Sequence, residues 1–417
     1  MTEPLTATVR ESSRDGGGTD RSSVGSRELL LMISAIMALM ALAIDLMLPA
    51  FDDIREAFDL APDSNEVARV ITVFFLGLAV AQIVWGPLAD RFGRKAVLYA
   101  GMSIYVLGAV GSALAPSLEL LLVSRFVWGL GAAGARVVAM AIIRDRFDGI
   151  RMAKAMSQIM AVFMIVPVIA PSFGALIVSV APWRGVFWFC VIWAGFIALW
   201  IRRLPETLAP TDRLPLEWGR TLAGFARVCR TPVTAGYTLA TVFLQAAFTS
   251  WLASSELLVN EIFGRKGQFP LVFGAVAVLF AAAAIVNGRV VGTHGMERVI
   301  RHSAMLSVGL TTALVIISVV TGGTPSFWVF MPLVGLALAC NMFLMPNLNA
   351  AAMGPMGDIA GTAASLTGAS RIAGGALLGA IVDSRMEDKV TPFAVGLMVG
   401  SSLALACILL VQRTSAV

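Results

Sequence analysis

Apolar residues in this chain come in long blocks separated by short polar segments. Twelve blocks cover approximately 29–51, 67–88, 96–115, 119–142, 153–179, 184–201, 234–259, 268–287, 299–320, 326–346, 358–382 and 391–411. A helix that crosses a bilayer needs roughly 20 apolar residues. The pattern therefore predicts an all-α polytopic membrane protein with twelve transmembrane helices. The longest polar stretch between blocks, 202–233, is basic, contains proline and follows the sixth block. It divides the chain into a six-helix bundle over 29–201 and a second over 234–411. Residues 1–28 are polar and rich in Gly and Ser, which predicts a disordered cytoplasmic tail. Residues 412–417 form a second short tail. No signal peptide is expected, because the first apolar block starts late and carries no cleavage site.

The two halves repeat. GPLADRFGRKAVL (Gly86–Leu98) follows block two and GRVVGTHGMERVI (Gly288–Ile300) follows block eight, so that Gly86 matches Gly288 and Gly93 matches Gly295. FGALIVSV (Phe173–Val180) resembles GGALLGAI (Gly374–Ile381) at nearly the same offset. Matches at one offset predict parallel halves related by an axis along the membrane normal.

Composition agrees with a membrane protein. Of 417 residues, 58% are hydrophobic and 14% charged, against about 25% charged in soluble domains. The net charge of +5 reflects topology rather than nucleic-acid binding. With the N-terminus placed inside, 21 Lys and Arg fall in inside segments and 7 in outside loops (Arg55, Arg69, Arg184, Arg265, Lys266, Arg385 and Lys389). Basic residues favour the cytoplasmic side, so both termini are expected there, in a multi-pass protein of the bacterial inner (plasma) membrane. Cys190, Cys229, Cys340 and Cys407 show no paired spacing, and His294 and His302 share one short loop. The sequence offers no metal-ligand cluster, nucleophile elbow or phosphate loop, so neither metal, cofactor nor covalent catalysis is expected.

Ionisable groups inside apolar blocks are costly and mark function. Asp45 stands in AIDLMLPA, four residues before Pro49. Proline has no N–H, so the carbonyl of residue 45 loses its helical partner and the helix opens beside the carboxylate. Such a group suits proton carriage; a position at the outer interface is the alternative. Arg125 sits at a similar depth, roughly 9 Å by helical rise, and is the expected electrostatic partner of Asp45 or a tether between helices. Arg136 lies eleven residues later on the same helical face, looking into the cavity or reaching the inner interface. In the second half, Glu256 and Arg371 can pair or face the cavity. Gln245, Trp251 and Asn341 can supply cavity polarity and aromatic surface.

GPLADRFGRKAVL matches the signature loop between helices two and three of the major facilitator superfamily. AIDLMLPAF, LLVSRFVWGLGAAGARVVAMAIIRDRF and IVPVIAPSFGALIVSVAPWRGVFWF resemble the bicyclomycin-resistance (Bcr/CflA) type of drug:proton antiporter. The resemblance covers most of the first half and is thinner in the second. It implies a major facilitator fold of two six-helix bundles around a central cavity. It also implies proton-coupled efflux of small amphipathic compounds by alternating access. Arg125 occupies the helix-four position linked to proton coupling in the superfamily. Gly86, Asp90, Arg91, Gly93 and Arg94 match the loop taken as the conformational latch, where glycine at 86 and 93 permits close helix approach and a tight turn and Asp90 and Arg94 pair or cap helix ends. Pro167, Pro171 and Gly174 match the region of the helix-five bend. The chain departs from the family at Trp128, where Gln is usual, at Met140, where arginine is usual, and at Ala170 and Ala175. The expected partners are protons, a small-molecule substrate and the lipid bilayer, with no nucleic acid, and the expected state is a monomer. Arg136 and Arg371 favour one alternative, a proton-coupled transporter of a specific anionic or zwitterionic metabolite. A non-transporting sensor or scaffold is the other.

Overall fold

The computed structural model describes residues 24–213, 218–386 and 388–415. Most of the predicted tail 1–28 lies outside the described residues. Among those described, the elements are helices joined by short turns, with no strand. Eleven helices are long and apolar enough to cross a membrane, and the 17-residue Gly185–Ile201 is a shorter apolar one. In chain order the twelve are α1 (Ser26–Ala57), α2 (Glu66–Phe92), α3 (Arg94–Leu114), α4 (Leu118–Arg146), α5 (Gly149–Val180), α6 (Gly185–Ile201), α7 (Pro232–Ile262), α8 (Phe269–His294), α9 (Met296–Val320), α10 (Phe327–Gly357), α11 (Ala360–Asp383) and α12 (Thr391–Ser415). At 1.5 Å per residue α6 spans roughly 25 Å, the short end of what crosses a bilayer.

Each predicted block is a helix, and most helices run past the apolar text into polar residues. Apolarity ends at the bilayer edge, whereas backbone hydrogen bonding does not. The predicted loop 202–233 is a correction of the same kind, because Trp218–Arg230 is helical. Val228 of this connecting helix is buried with Met356 and Ala363. The predicted tail 412–417 is likewise helical through Ser415.

In the first half α4 is central, packed against α2 and α3; in the second, α7 packs against α10, α11 and α12. The halves meet along α2–α11 and α5–α8. Water excludes no apolar surface between helices in lipid, so small residues that let backbones approach carry the packing. A Cβ on Gly129 would stand 2.1 Å from the Phe74 carbonyl oxygen, and one on Gly131 2.1 Å from the Tyr105 nitrogen. The outer surface is apolar, with Leu107, Ile192, Leu271, Ile316 and Trp328 all exposed, as a lipid-facing belt requires.

The sequence repeat is also a structural one. Gly93 ends α2 at φ 94° and ψ 156°, and Gly295 ends α8 at φ 80° and ψ 148°. Both sit at positive φ, a region open to glycine. Gly86 needs a correction. Nothing lies within 4 Å of where its Cβ would be, nor of that of Gly288. These two glycines do not mediate the close helix approach expected of Gly86.

Candidate functional site

α1 is interrupted. Its first segment ends at Asp45, a single 3₁₀ turn covers Leu48–Ala50, and helix resumes over Phe51–Ala57. Pro49 lies within that turn and cannot donate to a carbonyl one turn back. The last carbonyls of the first segment therefore seek other partners. Asp45 is 3% exposed, and among the described residues its carboxylate makes no hydrogen bond or ion pair.

The expected pairing of Asp45 with Arg125 is not formed. Arg125 is fully buried. Its Nη1 donates to the Ala43 carbonyl at 2.9 Å and its Nε to the Val70 carbonyl at 3.2 Å. The guanidinium lies over the rings of Phe74 and Trp128, 4.6 and 4.8 Å from their centroids. The reason is the break in α1. It frees the Ala43 carbonyl, and the guanidinium caps that carbonyl from between two aromatic faces. Arg125 thus ties α4 to α1 and α2. Trp128 completes the box, edge-on to Tyr105 and Phe187, while the Tyr105 hydroxyl donates to the Leu39 carbonyl.

Glu256 and Arg371 do not pair with each other either. Glu256 is fully buried near the far end of α7. Its Oε2 accepts from Arg55 Nη2 at 2.7 Å, and its Oε1 accepts from Asn260 at 2.9 Å. Arg55 also meets Asp52 at 2.6 Å and the Ser64 carbonyl at 2.9 Å. At the same end Asn65 donates to Ser254 and to the Asp383 carbonyl. The Asp383 carboxylate accepts from Ser250 and Ser254. The Arg55–Glu256 bond and the two Asn65 bonds join the two halves. Beside them lies a cavity of about 410 Å³ lined by Asn65, Arg69, Thr72, Asp383 and Met386 among others.

Sequence reasoning missed Arg55, Asn65 and Asp383. Arg55 counts as an outside-loop residue only if α1 stops near Phe51, but FDDIREA continues as helix. Asp383 directly follows the apolar block 358–382, and that adjacency was the available signal.

In mid-chain, Arg371 Nη1 donates to Gln245 Oε1 at 2.8 Å, while its Nε is buried without a partner. Arg136, half-buried on α4, lies close enough for its charge to act on Arg371. Asn341 is buried and donates to the Leu244 carbonyl, tying α10 to α7. Trp251 is 1% exposed and stacked on Phe273. It packs α7 against α8 and does not line an open cavity. Gln82 of α2 abuts Gly368 of α11.

At the opposite end from Glu256, Arg94 bonds to Asp90 and, through Nε, to Asp145 at 2.9 Å. Glu206 accepts from the Arg94 and Lys95 backbone N–H groups, and Thr207 donates to Asp145. The Asp90–Arg94 pairing thus extends to α4 and to the segment after α6. Arg91 is exposed. Pro167 and Pro171 both lie inside α5. A Cβ on Gly174 would stand 2.0 Å from the Leu46 carbonyl oxygen, and one on Gly274 3.3 Å from that of Val168. α5 thus contacts the break in α1 on one side and α8 on the other.

A family model described as Major Facilitator Superfamily matches residues 31–380. A bicyclomycin resistance protein homolog from Haemophilus influenzae is 29% identical over 366 residues, covering 87% of this chain and 90% of the relative. Multidrug resistance protein MdtL from Escherichia coli O17:K52:H18 is 29% identical over 332 residues, covering 78% and 80%. Among solved structures, a D-xylose-proton symporter superposes with a TM-score of 0.72 at 14% identity, covering 91% of this chain and 96% of that one. That likeness is one of fold.

Proposed function

The chain belongs to the major facilitator superfamily, and from that premise we propose that this membrane transporter exports small amphipathic compounds, drugs among them, in exchange for protons. The two relatives carry names of drug-resistance proteins, which supports export over uptake. The excess of Lys and Arg in the segments on the Arg94 side supports a cytoplasmic location for that end and for both termini. The protein then sits in the bacterial inner membrane as a monomer, with bundles at 29–201 and 234–411 joined through 202–233.

The observation that carries proton coupling is Asp45. It is a buried carboxylate at a helix break, with no described cation against it. Such a group is most stable neutral when sealed from water and ionises when water reaches it. Its protonation then follows the conformation, as exchange of proton for substrate requires. Arg125 acts through α1, fixing the broken helix by its bond to the Ala43 carbonyl. The Arg55–Glu256 contact holds the outer end closed. Asp90, Arg94 and Asp145 form the latch at the inner end, and the α5 segment from Pro167 to Gly174 serves as the joint.

The test uses everted vesicles loaded with a pH-gradient dye, with cationic, neutral and anionic compounds added in turn. The wild type is expected to release protons with at least one class, and Asp45→Asn to release none. An equal response from Asp45→Asn removes Asp45 from the coupling site. Silence from the wild type across all classes refutes export of broad amphipathic compounds.

A further inference from the structure

Three kinds of interior arginine occur in this chain, and they differ in what their N–H groups meet. Arg125 donates to two backbone carbonyls and lies between two rings. Arg55 meets Asp52, Glu256 and the Ser64 carbonyl. Arg55 is explained by its partners, and Arg125 is held by two carbonyls and two rings with only its Nη2 left buried and unpaired. Arg136 and Arg371 are not so held.

A guanidinium carries five N–H donors. Arg371 places Nη1 on Gln245, and its Nε is buried and unpaired. Among the described residues Arg136 makes no hydrogen bond and no ion pair. Among the described residues no carboxylate bonds to either, and the charge of Arg136 acts on Arg371. Depth brings them together. Arg136 lies ten residues from the Arg94-side end of α4, and Arg371 eleven residues from that end of α11. At 1.5 Å per residue these are roughly 15 and 17 Å. One arginine comes from each half, and both lie at a similar depth near the middle of the membrane. Two like charges with unfilled donors in a low-dielectric interior are unfavourable until an anion joins them. An oxyanion offers two or more acceptor oxygens in the geometry that guanidinium forks match.

We infer that Arg136 and Arg371, with Gln245 holding the latter in place, form a subsite for the anionic head of a transported organic acid, a carboxylate or sulfonate on an apolar body. The inference rests on the reading of the chain as a transporter that binds substrate between its halves. The Arg371–Gln245 bond fixes one fork and leaves Nε free, so an anion bridging the arginines would draw α4 and α11 together. Gln82, whose Oε1 is buried without a partner one turn from Arg371 along the α2–α11 contact, adds an acceptor for an N–H or O–H near the head group. The apolar body of the ligand needs no specific partner, which fits broad selection of acids by charge rather than by shape.

Matched aromatic triples provide the test: the carboxylate, the carboxamide and the methylammonium on the same ring, with naphthalene as the first. Binding to the full-length protein in nanodiscs is measured by calorimetry at low salt. The wild type is expected to bind naphthoate about tenfold or more tightly than naphthamide. Arg136→Gln and Arg371→Gln are each expected to abolish that preference while leaving naphthamide binding in place, and Arg371→Lys to restore part of it. Monodisperse elution and unchanged helix content are required of each variant. The subsite is overturned if amides or ammonium compounds bind as tightly as acids across the triples. It is equally overturned if no acid binds, or if both Gln variants keep the preference. The vesicle assay separates this outcome from the export reading. Proton release by neutral or cationic compounds without acid selectivity sinks the subsite alone. Selective acid binding without proton release sinks export alone.

Discussion

Replacing Glu256 with Gln tests what holds the two halves together at the Arg55 end. The pair is sealed: the side chains of Arg55 and Glu256 are 2% and 1% exposed, and they meet at 2.7 Å. Removing one partner of a buried ion pair costs roughly 3–5 kcal/mol. Here Arg55 retains Asp52 and the Ser64 carbonyl, both on its own half, so the loss is smaller, about 2–3 kcal/mol. When the halves separate at this end the pair is broken in any case, so the whole loss falls on the closed state. At 1.36 kcal/mol per tenfold, the closed-to-open ratio falls by about 30- to 160-fold. A protein 99% closed becomes roughly a quarter to 60% open. Nitroxide labels at the exposed positions Asp63 and Gln268, in a Cys229→Ser background, report the distance across this end by pulsed electron resonance. Glu256→Gln and Arg55→Gln are each expected to add a long-distance population to a single short one. A short, unsplit distribution in both variants would refute the reasoning. The end would then be held by the Asn65–Ser254–Asp383 contacts or by apolar packing.

Two further substitutions probe packing around α1 and α4. Gly174→Val forces a Cβ toward the Leu46 carbonyl, 2.0 Å away. It is expected to lower the melting temperature by an amount corresponding to at least 1–3 kcal/mol, roughly the cost of overpacking, whereas Gly86→Ala, with open space around it, is expected to be neutral or stabilising by up to about 1 kcal/mol; equal effects would remove the α1–α5 contact from consideration. Trp128→Gln, which introduces the residue usual in the resembled family, takes a fully buried ring from Tyr105, Phe74 and Phe187. It is expected to destabilise by roughly 3 kcal/mol, read as a fall in melting temperature, and an unchanged midpoint would show that the aromatic box does not hold Arg125.

The fold was almost fully legible, because lipid imposes a single length scale on apolar text. Twelve blocks became twelve helices, and the glycine repeat at Gly93 and Gly295 became two matching turns at positive φ. What the text hid was helix beyond the bilayer edge. FDDIREA and WGRTLAGFARVCR look like loop because they are polar, yet both are helical. That error concealed the Arg55–Glu256 contact, since Arg55 is positioned only if α1 resumes after Pro49. Pairing was the least legible feature. Depth arithmetic placed Asp45 beside Arg125, but depth does not say whether a guanidinium meets a side chain or a backbone carbonyl. The proline-induced break decides it, by freeing the Ala43 carbonyl two residues earlier. The same limit applied to Glu256, whose partner Arg55 is 201 residues away in sequence.

The capping role of Arg125 bears on the proton-carrying role proposed for Asp45. If the two formed an ion pair, the carboxylate would be held ionised in every conformation and could not exchange its proton as the protein moves. Holding Arg125 by two carbonyls and two aromatic faces, with Nη2 alone unpaired, keeps a positive charge in the first bundle and would leave Asp45 free to titrate. The break at Pro49 therefore has two consequences. It supplies the carbonyl that occupies the arginine, and it leaves the carboxylate at a helix end, where a small movement of Phe51–Ala57 changes its access to water. That second segment carries Arg55, the residue that grips Glu256 in the other half. In the proposed cycle, separation of the halves at this end would release Arg55 and free the segment attached to Asp45 in one motion. On the proposed reading, a chain that joins the Arg55–Glu256 contact and Asp45 through ten residues of α1 needs no longer relay between them.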